Sequence, residues 1–266
     1  MHDDHYAPPT TLLGLLQRGR GQGALIAAED RSTVADLVHG CIRWEWRWDR
    51  QADHRDLYLA RLIRDLELPL APVVDLLSGD EGTRDRAAAV LERLARGGSA
   101  EARRALPDRT PEEVRPPAHR PERPDPAPDR DLPELVAELE RRWVERVWCG
   151  PDELARGLAR FGPEAAGAVS LLRRFWLATP HSYERADYLE ALSAIGAPGM
   201  PEVYAESLYD CEPRARLLAV RHAPDRPYQL RRIAHLRDDP MEEPEVRAAA
   251  GARLAGAAGA PSRRTG

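Results

Sequence analysis

The chain contains no lysine and no asparagine, so all 39 of its basic residues are arginines. The simplest cause is a GC-rich coding sequence, because the codons for lysine and asparagine are rich in A and T. We therefore discount the abundance of arginine as evidence for phosphate binding. The formal net charge of -5 also argues against a protein whose main task is to coat nucleic acid.

Cysteine is scarce as well: Cys41, Cys149 and Cys211 are far apart in the sequence and form no CxxC pair. This pattern indicates neither a zinc ribbon nor a disulfide framework. We predict that all three side chains are small buried hydrophobic groups in a reduced protein.

Long apolar runs and catalytic motifs are missing too. No stretch approaches about 18 apolar residues, and residues 1–30 show no signal-peptide pattern, so we expect a cytoplasmic protein that does not bind membranes. There is no P-loop, no GxSxG elbow and no HExxH motif. The HDDH run at residues 2–5 does not have an established metal-ligand spacing. We predict no cofactor, no metal site and no catalytic residue.

What is present is unevenly distributed. Eight of the 24 prolines fall within residues 107–131, where Val114 is the only large aliphatic residue. Proline prevents a continuous helix, and so polar a segment cannot bury enough surface to offset its ordering entropy. We predict a disordered linker there, between an N-terminal helical region (1–106) and a C-terminal repeat region (132–258), with a disordered tail at 259–266.

The rest of the chain has the periodicity of helices. Almost no stretch alternates with a period of two, so a sheet is not expected and the predicted fold class is all-α. The glycines at 19, 21 and 23 are predicted to break an early helix. The clearest helix begins at Asp131 and carries an apolar residue at every fourth position: Leu135, Leu139, Trp143 and Val147.

A 31-residue step separates Arg185, Arg216 and Arg247, and each of these arginines opens a stretch rich in alanine and leucine. A period of 20–50 residues is typical of stacked-repeat folds. Shorter helices are predicted between the phased ones, at 201–208 and 227–236. Each unit is therefore predicted to be a helix–turn–helix.

The phrases PRARLLAV at 213–220 and PEVRAAAGARLAG at 244–256 resemble HEAT-like repeats, including the short form found in relatives of phycobilin lyases. The resemblance covers about 182–256, although Glu184 stands where that family has an apolar residue, and a looser match occurs at 83–97. It implies an α-solenoid of stacked helical hairpins, a HEAT-like superhelix that the proline-rich linker interrupts.

The repeated arginine has two interpretations. A single helical hairpin cannot bury its apolar stripe alone, so neighbouring units must be held together. We predict that the arginine pairs with an acid of the adjacent unit, such as Asp187, Asp210 or Asp239. The alternative is a ladder of arginines that binds phosphates.

Three tryptophans lie among arginines and acids in RWEWRWDRQADHRD, residues 43–56. This segment is either a partner-binding surface, since tryptophan and arginine often anchor interfaces, or a corner between helices in which the tryptophans fill the core. The candidate partner-binding residues are Trp46, Trp48, Asp49, Arg50, His54 and Arg55.

Two functions from different classes follow. The first is a non-enzymatic HEAT-like repeat scaffold that mediates protein–protein interaction, suggested by the repeat and by the missing catalytic motifs. The alternative is a nucleic-acid-binding protein similar to the HEAT-like alkylpurine DNA glycosylases, which would place Trp48 and Asp49 near a damaged nucleotide. An activity like that of the phycobilin lyases comes third, because many unrelated proteins share the repeat.

Overall fold

The computed structural model describes residues 6–43, 53–106 and 130–259, and every regular element within these ranges is helical. The predicted all-α class is confirmed. Residues 107–129 of the predicted linker and 260–266 of the predicted tail lie outside the described residues. The fifteen α-helices of the described ranges are α1 Leu12–Gln17, α2 Gly21–Glu29, α3 Arg31–Arg43, α4 Arg55–Asp65, α5 Ala71–Asp75, α6 Glu81–Arg96, α7 Ala100–Ala105, α8 Leu132–Val144, α9 Pro151–Ala159, α10 Val169–Ala178, α11 Arg185–Ile195, α12 Met200–Ser207, α13 Pro213–His222, α14 Pro227–Asp238 and α15 Pro244–Gly259.

Short polar side chains begin several of these helices. The carboxylate of Asp131 accepts the backbone N–H of Glu134 at 2.9 Å, which confirms the predicted start of α8. Thr11, Asp80 and Ser99 cap α1, α6 and α7 in the same way. Each cap satisfies one of the N–H groups that a helix leaves without a partner in its first turn.

The helices that carry the 31-residue step lie side by side. α13 packs against both α11 and α15, while α12 packs on α13 and α14 packs on α15. The helices predicted at 201–208 and 227–236 are confirmed as α12 and α14. None of the described helices is long and apolar enough to cross a membrane.

Two of the repeated arginines are buried as ion pairs. Arg185 and Arg216 are both 0% exposed; Arg185 binds Asp210 at 2.8 Å and Arg216 binds Glu242 at 2.6 Å. Each acid lies just ahead of the next phased helix. Pairing with a carboxylate is therefore confirmed for both arginines, and Asp210 is one of the three acids predicted, whereas Glu242 is not. The phosphate-ladder alternative is wrong for both, because their guanidinium groups are buried in these pairs. Arg247 is exposed and donates to a carbonyl oxygen of α14, because no described segment beyond α15 supplies an acid.

Apolar side chains form two clusters. One is built from α8–α15 and the other from α1–α7, and the second is completed by Cys211 and Met241 from the C-terminal region. Arg61 of α4 also donates to Asp239 at 2.8 Å and to Glu242 at 2.9 Å. The N-terminal helices are therefore joined to the C-terminal repeats by both apolar and ionic contacts.

The early glycines provide close packing between the two regions. Gly19 ends α1 with a φ of 65°, as predicted, but Gly21 and Gly23 lie inside α2. A Cβ on Gly21 would overlap the carbonyl oxygen of Glu206 in α12, and one on Gly19 would overlap the thiol of Cys211. The prediction that all three glycines break a helix is wrong for two of them, since a missing side chain also lets two helices touch.

Candidate functional site

The predicted partner-binding residues are divided between described and undescribed parts of the chain. Trp46, Trp48, Asp49 and Arg50 lie outside the described residues. His54 directly precedes α4, and its Nδ1 lies 4.0 Å from the carboxylate of Glu243. Burial lowers the pKa of His54 more than the nearby Asp56 raises it. His54 is therefore a neutral side chain at the boundary between the two regions.

Arg55 does not present its side chain to the solvent. It is 3% exposed, and its guanidinium binds the carboxylate of Asp53, the carbonyl oxygen of Gln17 and the hydroxyl of Tyr6. Arg55, at the start of α4, is covered by α1 and by the segment that precedes α1. Its side chain therefore links elements inside the fold and is not a direct contact for a partner. Its contact with Tyr6 nevertheless leads to a concave surface lined by the N-terminal segment.

This surface, which we call the aromatic cleft, has a volume of about 660 Å³. It lies between the N-terminal segment 6–9, the end of α8 with the following loop, and the end of α10. Pockets of about 300–1,000 Å³ are typical of ligand sites in proteins. The cleft is lined by Tyr6, Ala7, Pro8, Pro9, Arg18, Trp143, Val144, Arg146, Trp148 and Ala178.

One wall of the cleft is a rigid aromatic cluster. Trp143 and Trp148 meet edge to face with ring centroids 5.8 Å apart, and Phe175 lies against them at 5.2 and 5.9 Å. Edge-to-face pairs add about 0.5–1.5 kcal/mol beyond the apolar area they bury. Trp148 is 6% exposed, and its buried Nε1 has no hydrogen-bond partner in the described part of the chain.

The floor of the cleft is held by Arg18, which is 1% exposed. Its guanidinium donates to the carbonyl oxygens of Ala178 at 2.9 Å, Ala7 at 2.8 Å and Gly14 at 3.0 Å. It also lies 4.9 Å from the ring centroid of Tyr6. A single buried side chain thus fixes three chain segments that surround the cleft, and its charge is already in use.

The rim carries exposed apolar and basic groups at the end of α8. Val144 is 80% exposed. Arg146 has a φ of 54°, in the left-handed position after a helix that glycine normally occupies. Hydrogen bonds from Arg146 and Val147 back to the last turn of α8 stabilise this strained conformation. It turns the chain sharply and brings Trp148 back against Trp143.

Cys149 lies in the loop after α8 that contributes to the cleft, and His181 lies in the loop that follows α10. Cys149 is exposed, and its Sγ is 3.4 Å from Nε2 of His181. Burial, together with Glu184 and Asp152, raises the pKa of the Cys149 thiol despite the nearby guanidinium of Arg142. The pair is thus a neutral thiol beside an imidazole, without the lowered pKa of an activated nucleophile.

Comparisons with protein-family models, curated proteins and solved structures returned no match. Within the described ranges, no three His, Cys, Asp or Glu side chains lie together in a way that could hold a metal ion.

Sequence reasoning did not identify this cleft. It predicted Trp143 and Val147 on one continuous apolar stripe, but α8 ends at Val144, where Arg146 reverses the chain. It also predicted three buried cysteines, which is correct for two of them and wrong for Cys149, because that residue lies in the loop after this turn. The available signal was the Cys-Gly-Pro sequence after Trp148, which is typical of a loop.

Proposed function

We propose that this chain is a non-enzymatic HEAT-like repeat scaffold that mediates protein–protein interaction. The observation that carries the proposal is the serial packing of α11, α13 and α15, with a buried arginine–carboxylate pair at each of the two junctions. In a stacked-repeat protein such junctions hold neighbouring hairpins at a fixed angle, which creates a stable extended surface. A stable surface without an activated nucleophile or a metal cluster in its described part suits binding better than catalysis.

The alternative proposal, a nucleic-acid-binding protein, is less well supported by the geometry. The fully buried arginines Arg18, Arg20, Arg185 and Arg216 face groups inside the fold, so their charges are not available to phosphates. The indole of Trp148 is enclosed by other rings and does not present a face on which a base could stack.

Affinity capture followed by binding to purified components tests the scaffold proposal. The intact chain is used as bait, captured proteins are purified, and direct binding is measured by calorimetry. We expect a saturable complex with at least one purified protein, and no gel shift of duplex or single-stranded DNA when salt is raised through the physiological range. If no purified protein binds, or if nucleic acid binds with the steep salt dependence of phosphate contacts, the proposal is wrong.

A further inference from the structure

We propose that the aromatic cleft is the docking site for a partner segment that carries a bulky apolar side chain next to a carboxylate. The proposal rests on the scaffold function proposed above and specifies where the partner binds and what chemistry it presents. It follows from three properties of the cleft: its shape is already set, its rim carries an exposed apolar group, and the charged groups among its described lining residues are of one sign.

The shape of the cleft is set before a partner arrives. Trp143, Trp148 and Phe175 hold one another edge to face, and Arg18 fixes the floor through three carbonyl oxygens. A site that does not need to be ordered loses little conformational entropy on binding. The apolar anchor of a partner can therefore enter a formed cavity of about 660 Å³.

The rim exposes apolar surface that the fold itself does not cover. Val144, one of the lining residues, is 80% exposed. Exposed apolar surface beside a concave site often marks an interaction site. Together with the indole rings of Trp143 and Trp148, Val144 favours an apolar side chain as the anchor of the bound segment.

The charge of the cleft indicates which charged group the partner segment carries. Arg18 and Arg146 are the charged residues in the lining, and no carboxylate occurs among the lining residues described. The adjacent Glu145 is held by Arg141 at 2.5 Å. Arg146 is therefore an exposed cation in the lining of the cavity, and a carboxylate on the partner complements it.

The experiment begins with selection from random peptides displayed on phage, using the folded intact chain as the target. We expect enriched peptides to share a large apolar residue close to Asp or Glu. Synthetic copies are then titrated by fluorescence anisotropy against wild type, Val144→Glu and Arg146→Glu. Each variant should weaken binding by at least about tenfold, the loss typical of an interface anchor.

Tyr228→Glu is the matched control, because Tyr228 is also an exposed apolar residue, at 47%, but lies on α14 away from the cleft lining. It should leave the affinity within about twofold of wild type. Circular dichroism verifies that each variant is folded. Since Val144 is mostly exposed, a glutamate there introduces no buried charge.

Cys149 provides a readout that does not depend on mutation. It is the exposed one of the three cysteines and directly follows the cleft-lining Trp148, whereas Cys41 and Cys211 are buried internal standards. A bound peptide should slow the alkylation of Cys149 by iodoacetamide and leave the two buried thiols unchanged.

Other outcomes separate this proposal from the scaffold function. If a purified protein partner binds Val144→Glu and Arg146→Glu as tightly as wild type, the docking site is wrong but the scaffold function stands. If no protein binds any form of the chain, the scaffold function is wrong, and the docking site that rests on it is wrong as well. Binding of phosphatidylcholine vesicles or of single-stranded DNA that is lost in Val144→Glu would assign the cleft to another class of ligand and overturn the proposal.

Discussion

Arg216→Met should destabilise the protein far more than the removal of an exposed arginine from the same helix. Arg216 is 0% exposed and donates to both carboxylate oxygens of Glu242, at 2.8 and 2.6 Å. Methionine keeps much of the apolar stem but leaves Glu242 with Arg61 as its remaining cationic partner. Breaking a buried pair by removing one partner typically costs about 3–5 kcal/mol. Because Arg61 stays, we expect a loss near the lower end, about 3 kcal/mol.

The measurement is the free energy of unfolding from urea titrations followed by far-UV circular dichroism. The matched control is Arg221→Met in the same helix, since Arg221 and Glu245 are 4.0 Å apart with side chains 54% and 75% exposed. An exposed pair of this kind contributes about 0–1 kcal/mol, so the control should change little. An equal loss in the two variants would refute the view that buried pairs hold adjacent repeats together.

The pH dependence gives a second check on the same pair. Burial opposes ionisation, but Arg216 and Arg61 together lower the pKa of Glu242 from 4.5 to about 2. A carboxylate whose pKa is lowered by folding stabilises the native state above its unfolded pKa, and this contribution is lost as the pH falls through its folded pKa. The difference between wild type and Arg216→Met should therefore be full at pH 6 and should shrink as the pH falls from 4.5 towards 2. A difference that stays constant over that interval would contradict the assignment.

Three further predictions concern stability and use the same urea assay. Burial, reinforced by Asp210, raises the pKa of Glu212 from 4.5 to about 7. Ionisation of this residue therefore destabilises the folded state progressively as the pH rises from 4.5 through 7. The free energy of unfolding of Glu212→Gln should gain about 3 kcal/mol relative to wild type between pH 4.5 and pH 8. A gap that does not widen with pH would show that Glu212 is ionised in the fold. Arg146→Gly should stabilise the protein by about 1 kcal/mol, because glycine adopts the left-handed conformation without strain. Glu67→Gly, at the equivalent turn after α4, should stabilise it by a similar amount. Only Arg146→Gly should weaken peptide binding. Loss of binding in both would mean that the effect is not local to the cleft. Gly21→Ala should lower the free energy of unfolding by about 1–3 kcal/mol, because a Cβ there meets the backbone of α12. Gly40→Ala should stabilise α3 by about 0.5–1 kcal/mol, because a Cβ there meets nothing within 4 Å. Similar effects at the two sites would exclude close packing of α2 on α12.

The helices were predictable because their signals are local. The cap at Asp131 lies within one turn of the helix it begins, and the 31-residue step reports a unit that the chain repeats in order. The pairing of Arg185 with Asp210 was predictable for the same reason, since the acid lies only 25 residues away, just ahead of the next phased helix.

The aromatic cleft was not predictable in this way. Arg18 reaches the carbonyl oxygen of Ala178, which is 160 residues further along the chain, and the cleft forms where these distant segments meet. No periodicity links them, so the sequence contains no local record of their contact. The left-handed turn at Arg146 is also hidden, because the usual sign of such a turn is glycine and this chain has arginine instead.

The sequence by itself determined the helical class, the starts of α8, α12 and α14 and the phasing of the last third, because backbone capping and apolar periodicity act over a few residues. Only the tertiary structure decided which arginines are buried, which cysteine is exposed, and which aromatic residues line a cavity. These properties depend on contacts between segments far apart in the chain, where burial sets the environment of each side chain. Arg55 illustrates both: its helix follows from local pattern, but its burial beneath Tyr6 and Gln17 follows from the packing of α1 on the start of α4.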